Sequence, residues 1–218
     1  VTCAEDVLEG AYSMSLLELN AESGELVRRT SIFQPQKEVV ETRHRKNSFA
    51  SPTPIFENGR IYAHFGHMGI ACVDQEGAIL WKNNSFQYEP VHGNGGSPVL
   101  FKDRIIFSCD GKSNPFLMAL DKNTGEILWK TPRETDALKT FSFCTPLIIE
   151  IDGEPQIISP GRIRAADPSA RAREALKALN VQQVFEDPCA AVTGADMVVL
   201  AVKPQVMAAA LEGVKDCL

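Results

Sequence analysis

Hydrophobic spacing divides the chain in two. Up to Gly161, apolar residues come in short alternating runs broken by Gly, Asp, Asn and Pro, the pattern of half-buried strands and tight turns. One unit recurs three times: Leu19-Asn20-Ala21-Glu22-Ser23-Gly24-Glu25-Leu26-Val27, then Val73-Asp74-Gln75-Glu76-Gly77-Ala78-Ile79-Leu80-Trp81, then Leu120-Asp121-Lys122-Asn123-Thr124-Gly125-Glu126-Ile127-Leu128-Trp129. Each predicts a strand end, a turn whose Gly takes positive φ, and an alternating strand. A second unit interleaves with it. Thr53-Pro54, Ser97-Pro98 and Thr145-Pro146 each open a hairpin, with turns at Asn58-Gly59, Lys102-Asp103 and Asp152-Gly153. Two hairpins per period make four strands, the content of one propeller blade.

After Gly161 the pattern changes. Asp167 or Ser169 is placed to cap a helix over residues 170–179, whose Ala172, Leu176 and Leu179 share a face. Residues 181–185 read as a strand and 188–192 as a short helix. The apolar run over 197–202 reads as a buried parallel strand, ended by Lys203-Pro204 before helical character resumes over 205–214. Alternating strands and helices predict a parallel βαβ arrangement. The expected fold is mainly β, about three four-stranded propeller-type blades over residues 1–161. A small α/β, Rossmann-like fragment follows over 162–218.

Composition breaks at the same place. Nine alanines lie in residues 1–161 and thirteen in 162–218, whereas the first part holds both tryptophans and all four histidines. The formal charge of −6 gives no basis for a nucleic-acid partner. No apolar run reaches membrane-spanning length, and no signal-peptide pattern opens the chain. Cys3, Cys72, Cys109, Cys144, Cys189 and Cys217 form no C-x-x-C pair, so six free and mostly buried thiols are expected.

The segment from Ala119 to Trp129 resembles the A-x-D-x-x-T-G-x-x-x-W repeat of PQQ-type (quinoprotein-like) β-propellers. The second copy is one residue short in its turn, and the first has Arg28 or Arg29 near the Trp position. The stretches 44–81 and 88–161 read like secreted bacterial proteins of that group. The resemblance implies a structural role for Trp81, Trp129, Asp74 and Asp121, with the Trp docking between blades. Quinoprotein dehydrogenases add calcium ligands, a catalytic Asp and often adjacent cysteines. No adjacent cysteines occur here, so bound PQQ is not expected, and a PQQ-dependent dehydrogenase is the third reading. His64 and His67, three apart, fall on opposite faces if both lie on one strand. His92 sits in a glycine-rich loop. No metal site is expected.

Residues 162–218 resemble pyrroline-5-carboxylate reductase through Ile163-Arg164-Ala165-Ala166-Asp167-Pro168-Ser169 and the run from Gly194 to Met207, with Ala-Val-Lys-Pro-Gln its most specific part. The resemblance implies NAD(P) as cofactor. Asp167, Pro168 and Ser169 would border the adenosine ribose, and Ala201, Val202, Lys203 and Pro204 would line the nicotinamide side. The family's glycine loop, which holds the pyrophosphate, does not precede Arg162, and its substrate domain would follow Leu218. No catalytic residue is assigned, and no useful cofactor binding is expected. The chain thus reads as a chimera, a non-enzymatic binding or scaffold segment joined to an incomplete dinucleotide-binding fragment. The alternative is an NAD(P)-dependent reductase of proline synthesis. The expected partners are a protein or small molecule on the propeller face and further copies through open strand edges. Propeller relatives are mostly secreted or periplasmic and reductase relatives cytoplasmic, so location stays open.

Overall fold

A computed structural model describes residues 1–8, 11–35, 47–133, 140–151, 153–159, 164–178, 181, 183–195, 198, 200 and 202–217. It is mostly β, with several antiparallel sheets and few helices, and divides into two compact units, Val1–Gly161 and Arg162–Leu218.

The first unit is a series of up-and-down sheets. β1 (Thr2–Leu8), β2 (Ala11–Leu19) and β3 (Leu26–Phe33) form a three-stranded sheet. β4 (Ile55–Glu57), β5 (Arg60–His64), β6 (Ile70–Asp74) and β7 (Ile79–Asn83) form a four-stranded one in chain order. β8 (Val99–Phe101), β9 (Arg104–Cys109), β10 (Phe116–Asp121) and β11 (Ile127–Pro132) repeat that order. The hairpin of β12 (Leu147–Ile151) and β13 (Glu154–Ile158) follows. Two sheets therefore have the four strands expected of a blade, and the flanking ones have three and two among the described residues. The repeat explains the shortfall. By position β1–β3 are the second to fourth strands of a unit, and β12–β13 the first and second.

Alternation along each strand decides which core a side chain enters. On β6, Ile70 and Cys72 join a cluster with Ile105, Phe107, Met118 and Leu120 of the third sheet. The intervening Ala71 and Val73 join Met14, Leu16, Ile32 and Phe33 of the first sheet. β6, in the middle sheet, is thus buried on both faces, as its near-continuous apolar sequence requires.

Two sets of contacts tie successive sheets together. On the inner side, the Thr53 amide donates to the Ser97 hydroxyl at 2.9 Å, and the Ser97 amide to the Thr145 hydroxyl at 3.0 Å. The Ser/Thr-Pro element is therefore a tether between repeats as well as a hairpin start. On the outer side, the Trp81 indole N–H donates to the Lys122 carbonyl at 3.1 Å, and the Asn83 amide to the Gly125 carbonyl at 2.6 Å. A Cβ added to Gly125 would lie 2.5 Å from the Trp81 ring. Arg28 and Thr30 play the same parts one junction earlier. Arg28 donates to the Gln75 carbonyl at 3.0 Å and Thr30 to the Gly77 carbonyl at 3.3 Å. The aliphatic stem of Arg28 crosses Gly77 as the Trp81 ring crosses Gly125.

His64 and His67 are both buried. They do not share a strand: His64 ends β5, whereas His67 lies in the short 3₁₀ turn Gly66–Met68. The His64 ring stacks 4.4 Å from the Phe107 ring. Burial pushes its imidazole down from 6.5 to about 3, against an opposing pull from the Gly96 backbone, with His67 adding to the depression.

In the second unit, β14 (Arg164–Ala166) and β15 (Gln183–Phe185) pair in parallel around α1 (Ala170–Ala178), the expected crossover. α2 (Pro188–Val192) is capped by the Asp187 side chain, and α3 (Met207–Glu212) follows a 3₁₀ turn at Pro204–Val206. Of the strand expected over 197–202, the structure describes Val198, Leu200 and Val202, and none lies in a strand. The expectation of six free thiols also fails. Cys189 and Cys217 are joined as a disulfide, because the turn after α3 brings their Cα atoms within 5.5 Å. Cys72 and Cys109 are free and buried, Cys3 and Cys144 free and half-buried.

Two predictions follow from these placements. Thiol titration of the unfolded, unreduced chain should count the four free cysteines; six would show that Cys189 and Cys217 do not pair. His64 titrates at about 6.5 when unfolded and about 3 when folded. Its neutral form is therefore the folded one, and stability is complete above pH 6.5 and falls as pH drops toward 3. At pH 5 the loss is about 2 kcal/mol. His64→Phe should remove that part of the pH dependence in denaturant melts of the two proteins. An unchanged slope in the variant would refute the assignment.

Candidate functional site

The residues expected to border a nucleotide fall into two groups. Asp167 and Ser169 follow β14 directly. The Asp167 carboxylate accepts the Ser169 amide at 2.7 Å, and the Ser169 hydroxyl accepts the Ala172 amide at 3.4 Å, closing the first turn of α1. The loop is local turn and cap chemistry that any Asp-Pro-Ser start to a helix would favour. Arg173 turns back on it, donating to the carbonyls of Asp167 and Pro168 at 2.8 and 2.9 Å and to Glu186 at 3.0 Å. Val202, Lys203 and Pro204 lead into the 3₁₀ turn, all exposed. Ala201 lies outside the described residues. Among the described residues, no hydrogen bond or ion pair links the two groups.

The Asp167 carboxylate accepts the Ser169 amide, and the Arg173 guanidinium is held by two carbonyls and Glu186. The residues just ahead of β14, 160–163, lie outside the described residues. A pyrophosphate cradle needs a strand that runs through a glycine loop into a helix. Here β13 is instead paired antiparallel with β12, from Leu147 opposite Ile158 to Ile151 opposite Glu154.

In the first unit, a buried polar cluster surrounds Asp110 at the end of the third sheet. Arg133 donates to its two carboxylate oxygens at 3.1 and 2.9 Å, and the Ser142 hydroxyl donates at 2.6 Å. Arg133 also donates to the Ser108 hydroxyl at 3.4 Å and the Ser159 carbonyl at 3.2 Å. Burial pushes the Asp110 carboxyl up, opposed by Ser142 and Arg133. Sequence reasoning missed this cluster, whose members lie up to about fifty positions apart and carry no motif. The network joins β9, the end of β11 and the segment after β13, so its evident work is to hold the β12–β13 hairpin on the third sheet. Elsewhere burial raises the Cys72 thiol to about 11 and the Cys109 thiol well above its usual value, so neither supplies a thiolate at neutral pH. His92 lies edge-on to Phe141 at 5.2 Å. Among the described residues, no three His, Cys, Asp or Glu side chains meet as a metal site, and no helix is long and apolar enough to cross a membrane.

Comparison with known proteins gives different relatives for the two parts. Residues 155–218 match the family described as NADP oxidoreductase, coenzyme F420-dependent. That supports the reductase resemblance of the C-terminal part and implies an NAD(P)-binding type of fold for it. The match covers less than a third of the chain and begins within β13. No curated protein matches in sequence. Among solved structures, a europium-containing methanol dehydrogenase is 17% identical over 62% of this chain and 23% of its own, with a TM-score of 0.37. The quinohemoprotein alcohol dehydrogenase of Comamonas testosteroni is 18% identical over 62% and 21%, at 0.39. BamB of Moraxella catarrhalis is 14% identical over 67% and 43%, at 0.39. The chain thus spans about a fifth to two fifths of the structures it resembles.

Removing Arg133 would leave the Asp110 carboxylate buried without its counter-charge, with the Ser142 hydroxyl as its remaining donor. Arg133→Met should cost about 3–5 kcal/mol in denaturant unfolding. Adding Asp110→Asn should recover much of it, because the stranded charge is then gone. A single variant as stable as the parent would show that the pair is not buried as described.

Proposed function

We propose that residues 1–161 are a non-enzymatic β-propeller-type scaffold or binding segment. On this reading residues 162–218 are an incomplete dinucleotide-binding fragment that neither holds NAD(P) usefully nor catalyses, and the chain is a chimera of two parents. The observation that carries the first part is the use made of the repeat's distinctive side chains. Trp81, Arg28, Asn83 and Thr30 are all engaged at sheet junctions, and the Asp121 carboxylate holds its own turn by accepting the Asn123 and Thr124 amides at 2.7 and 3.0 Å. A motif consumed in this way builds a stack of sheets and leaves binding to the loops and edges. The second part rests on the engaged state of Asp167 and Arg173 and on the lack of a glycine loop before β14.

A second reading, an NADP-dependent reductase related to pyrroline-5-carboxylate reductase, is favoured by the family match over 155–218. One experiment separates the two. Without a pyrophosphate cradle several charge-assisted hydrogen bonds, each contributing about 1.5–3 kcal/mol, are missing. Isothermal titration with NADH and NADPH should therefore give no binding in the micromolar range, each 1.4 kcal/mol being about tenfold. A dissociation constant on the order of micromolar for either nucleotide would establish the reductase reading instead. Limited proteolysis should cut first between residues 159 and 170; one resistant unit spanning that stretch would defeat the chimeric reading.

A further inference from the structure

The outer junction between sheets is used twice inside the chain, and its two halves are each left over once. The donor half is a strand position and the one two residues on: Arg28 and Thr30, then Trp81 and Asn83. Trp129 and Thr131 on β11 stand at the same positions. Trp129 is half-buried and Thr131 exposed, and among the described residues no hydrogen-bond acceptor meets the Trp129 indole. The acceptor half is the turn: the residue after the Asp, and the Gly. Gln75 and Gly77 serve Arg28 and Thr30, and Lys122 and Gly125 serve Trp81 and Asn83. Among the described residues, no side chain from another sheet uses the turn over residues 20–25 in this way.

That unused turn already has the shape of the one that receives Trp81. Asn20 accepts the Glu22 and Ser23 amides on its side chain at 2.9 Å each, as Asp121 accepts Asn123 and Thr124. The Asn20 amide donates to the Glu25 carbonyl at 2.9 Å, as Asp121 does to Glu126 at 2.9 Å. Gly24 has φ 74° and Gly125 φ 75°. A Cβ on Gly125 would strike the Trp81 ring, whereas nothing lies within 4 Å of a Cβ on Gly24. The seat is formed, and none of the described residues fills it.

We propose that a second copy of this chain fills it: Trp129 of one molecule lies across Gly24 of another, its indole donating to the carbonyl of Ala21 and Thr131 donating to that of Gly24. The contact is head-to-tail, so it propagates and closes into a ring or extends as a filament. It deepens the scaffold reading, on which it rests in taking the sheet junctions as interfaces, and is independent of nucleotide binding. The inner half of the site is partly filled, because the β12–β13 hairpin lies on the third sheet. The incoming molecule therefore engages through β2 and β3, and β13 competes with its β1 for the inner edge of β2. The contact is weaker than the internal junctions for that reason and grows with protein concentration.

Sedimentation velocity on the full chain, from about 1 to about 300 μM, tests this. The weight-average mass should rise with concentration. Trp129→Ala should abolish the rise by removing the donor. Gly24→Asn should also abolish it, since Asn tolerates the left-handed backbone while its Cβ occupies the place of the ring. An equimolar mixture of the two variants restores one intact half on each molecule and should stop at dimers, which misfolded variants would not form. A parent that stays monomeric throughout would overturn the proposal, as would oligomers that both variants leave unchanged. Nucleotide titration of the parent reports on the scaffold reading separately.

Discussion

The first unit depends on one steric constraint: a glycine at positive φ lets the backbone of one sheet's turn lie under a large side chain from the sheet before it. At Gly125 no side chain is possible, because a Cβ there would sit 2.5 Å from the Trp81 ring. The ring gains apolar burial over the turn and satisfies its N–H on a carbonyl that the turn leaves unpaired. One contact thus closes a turn, seats an aromatic and sets how one sheet stacks on the next. The buried clusters on either side of the middle sheet follow from that stacking, since alternate residues of β6 can reach two cores only when a sheet lies on each side.

The contact tolerates exchange of its parts while keeping its geometry. Arg28 replaces a tryptophan by laying its aliphatic stem across Gly77 and donating from its guanidinium to the same kind of carbonyl. The turn below it is one residue shorter, and Asp74 adapts by accepting the Ala78 amide at 2.7 Å in place of two nearer amides. What the junction demands is a long flat or extended donor above a glycine, which several side chains supply. The sequence period is accordingly more regular than the residues that fill it.

This explains what was legible beforehand. The turns were readable because Asn58-Gly59, Asp121 and Gly125 determine local backbone angles within a few residues, and the hairpins formed where those signals stand. The end of the helix α1 and its cap at Ser169 were local in the same sense. The role of Arg28, the Ser/Thr-Pro tether and the Asp110 cluster were not readable, because each joins residues roughly 25–50 positions apart through packing that no short pattern encodes. The Cys189–Cys217 pair belongs with them: it depends on where α3 leaves its last turn. The apolar run at 197–202 lies half outside the described residues, and its described Val198, Leu200 and Val202 are in no strand. Continuous hydrophobicity fits a buried parallel strand only if neighbouring strands exist to pair with it, and the described parallel sheet of this unit has only β14 and β15.

The family match and the fold compete for the same residues at the join. The match begins at Pro155, yet Glu154–Ile158 is a strand paired residue by residue with β12. A dinucleotide fold would need the chain just ahead of β14 to come from a glycine loop and its helix. A blade-type hairpin needs it to lie antiparallel beside β12, with Ser159 held by Arg133. The hairpin closes through a tight turn at Gly153 and is pinned to the third sheet by the Asp110 network. What the described residues of the reductase-like segment share with such a fold is the crossover unit of β14, α1 and β15.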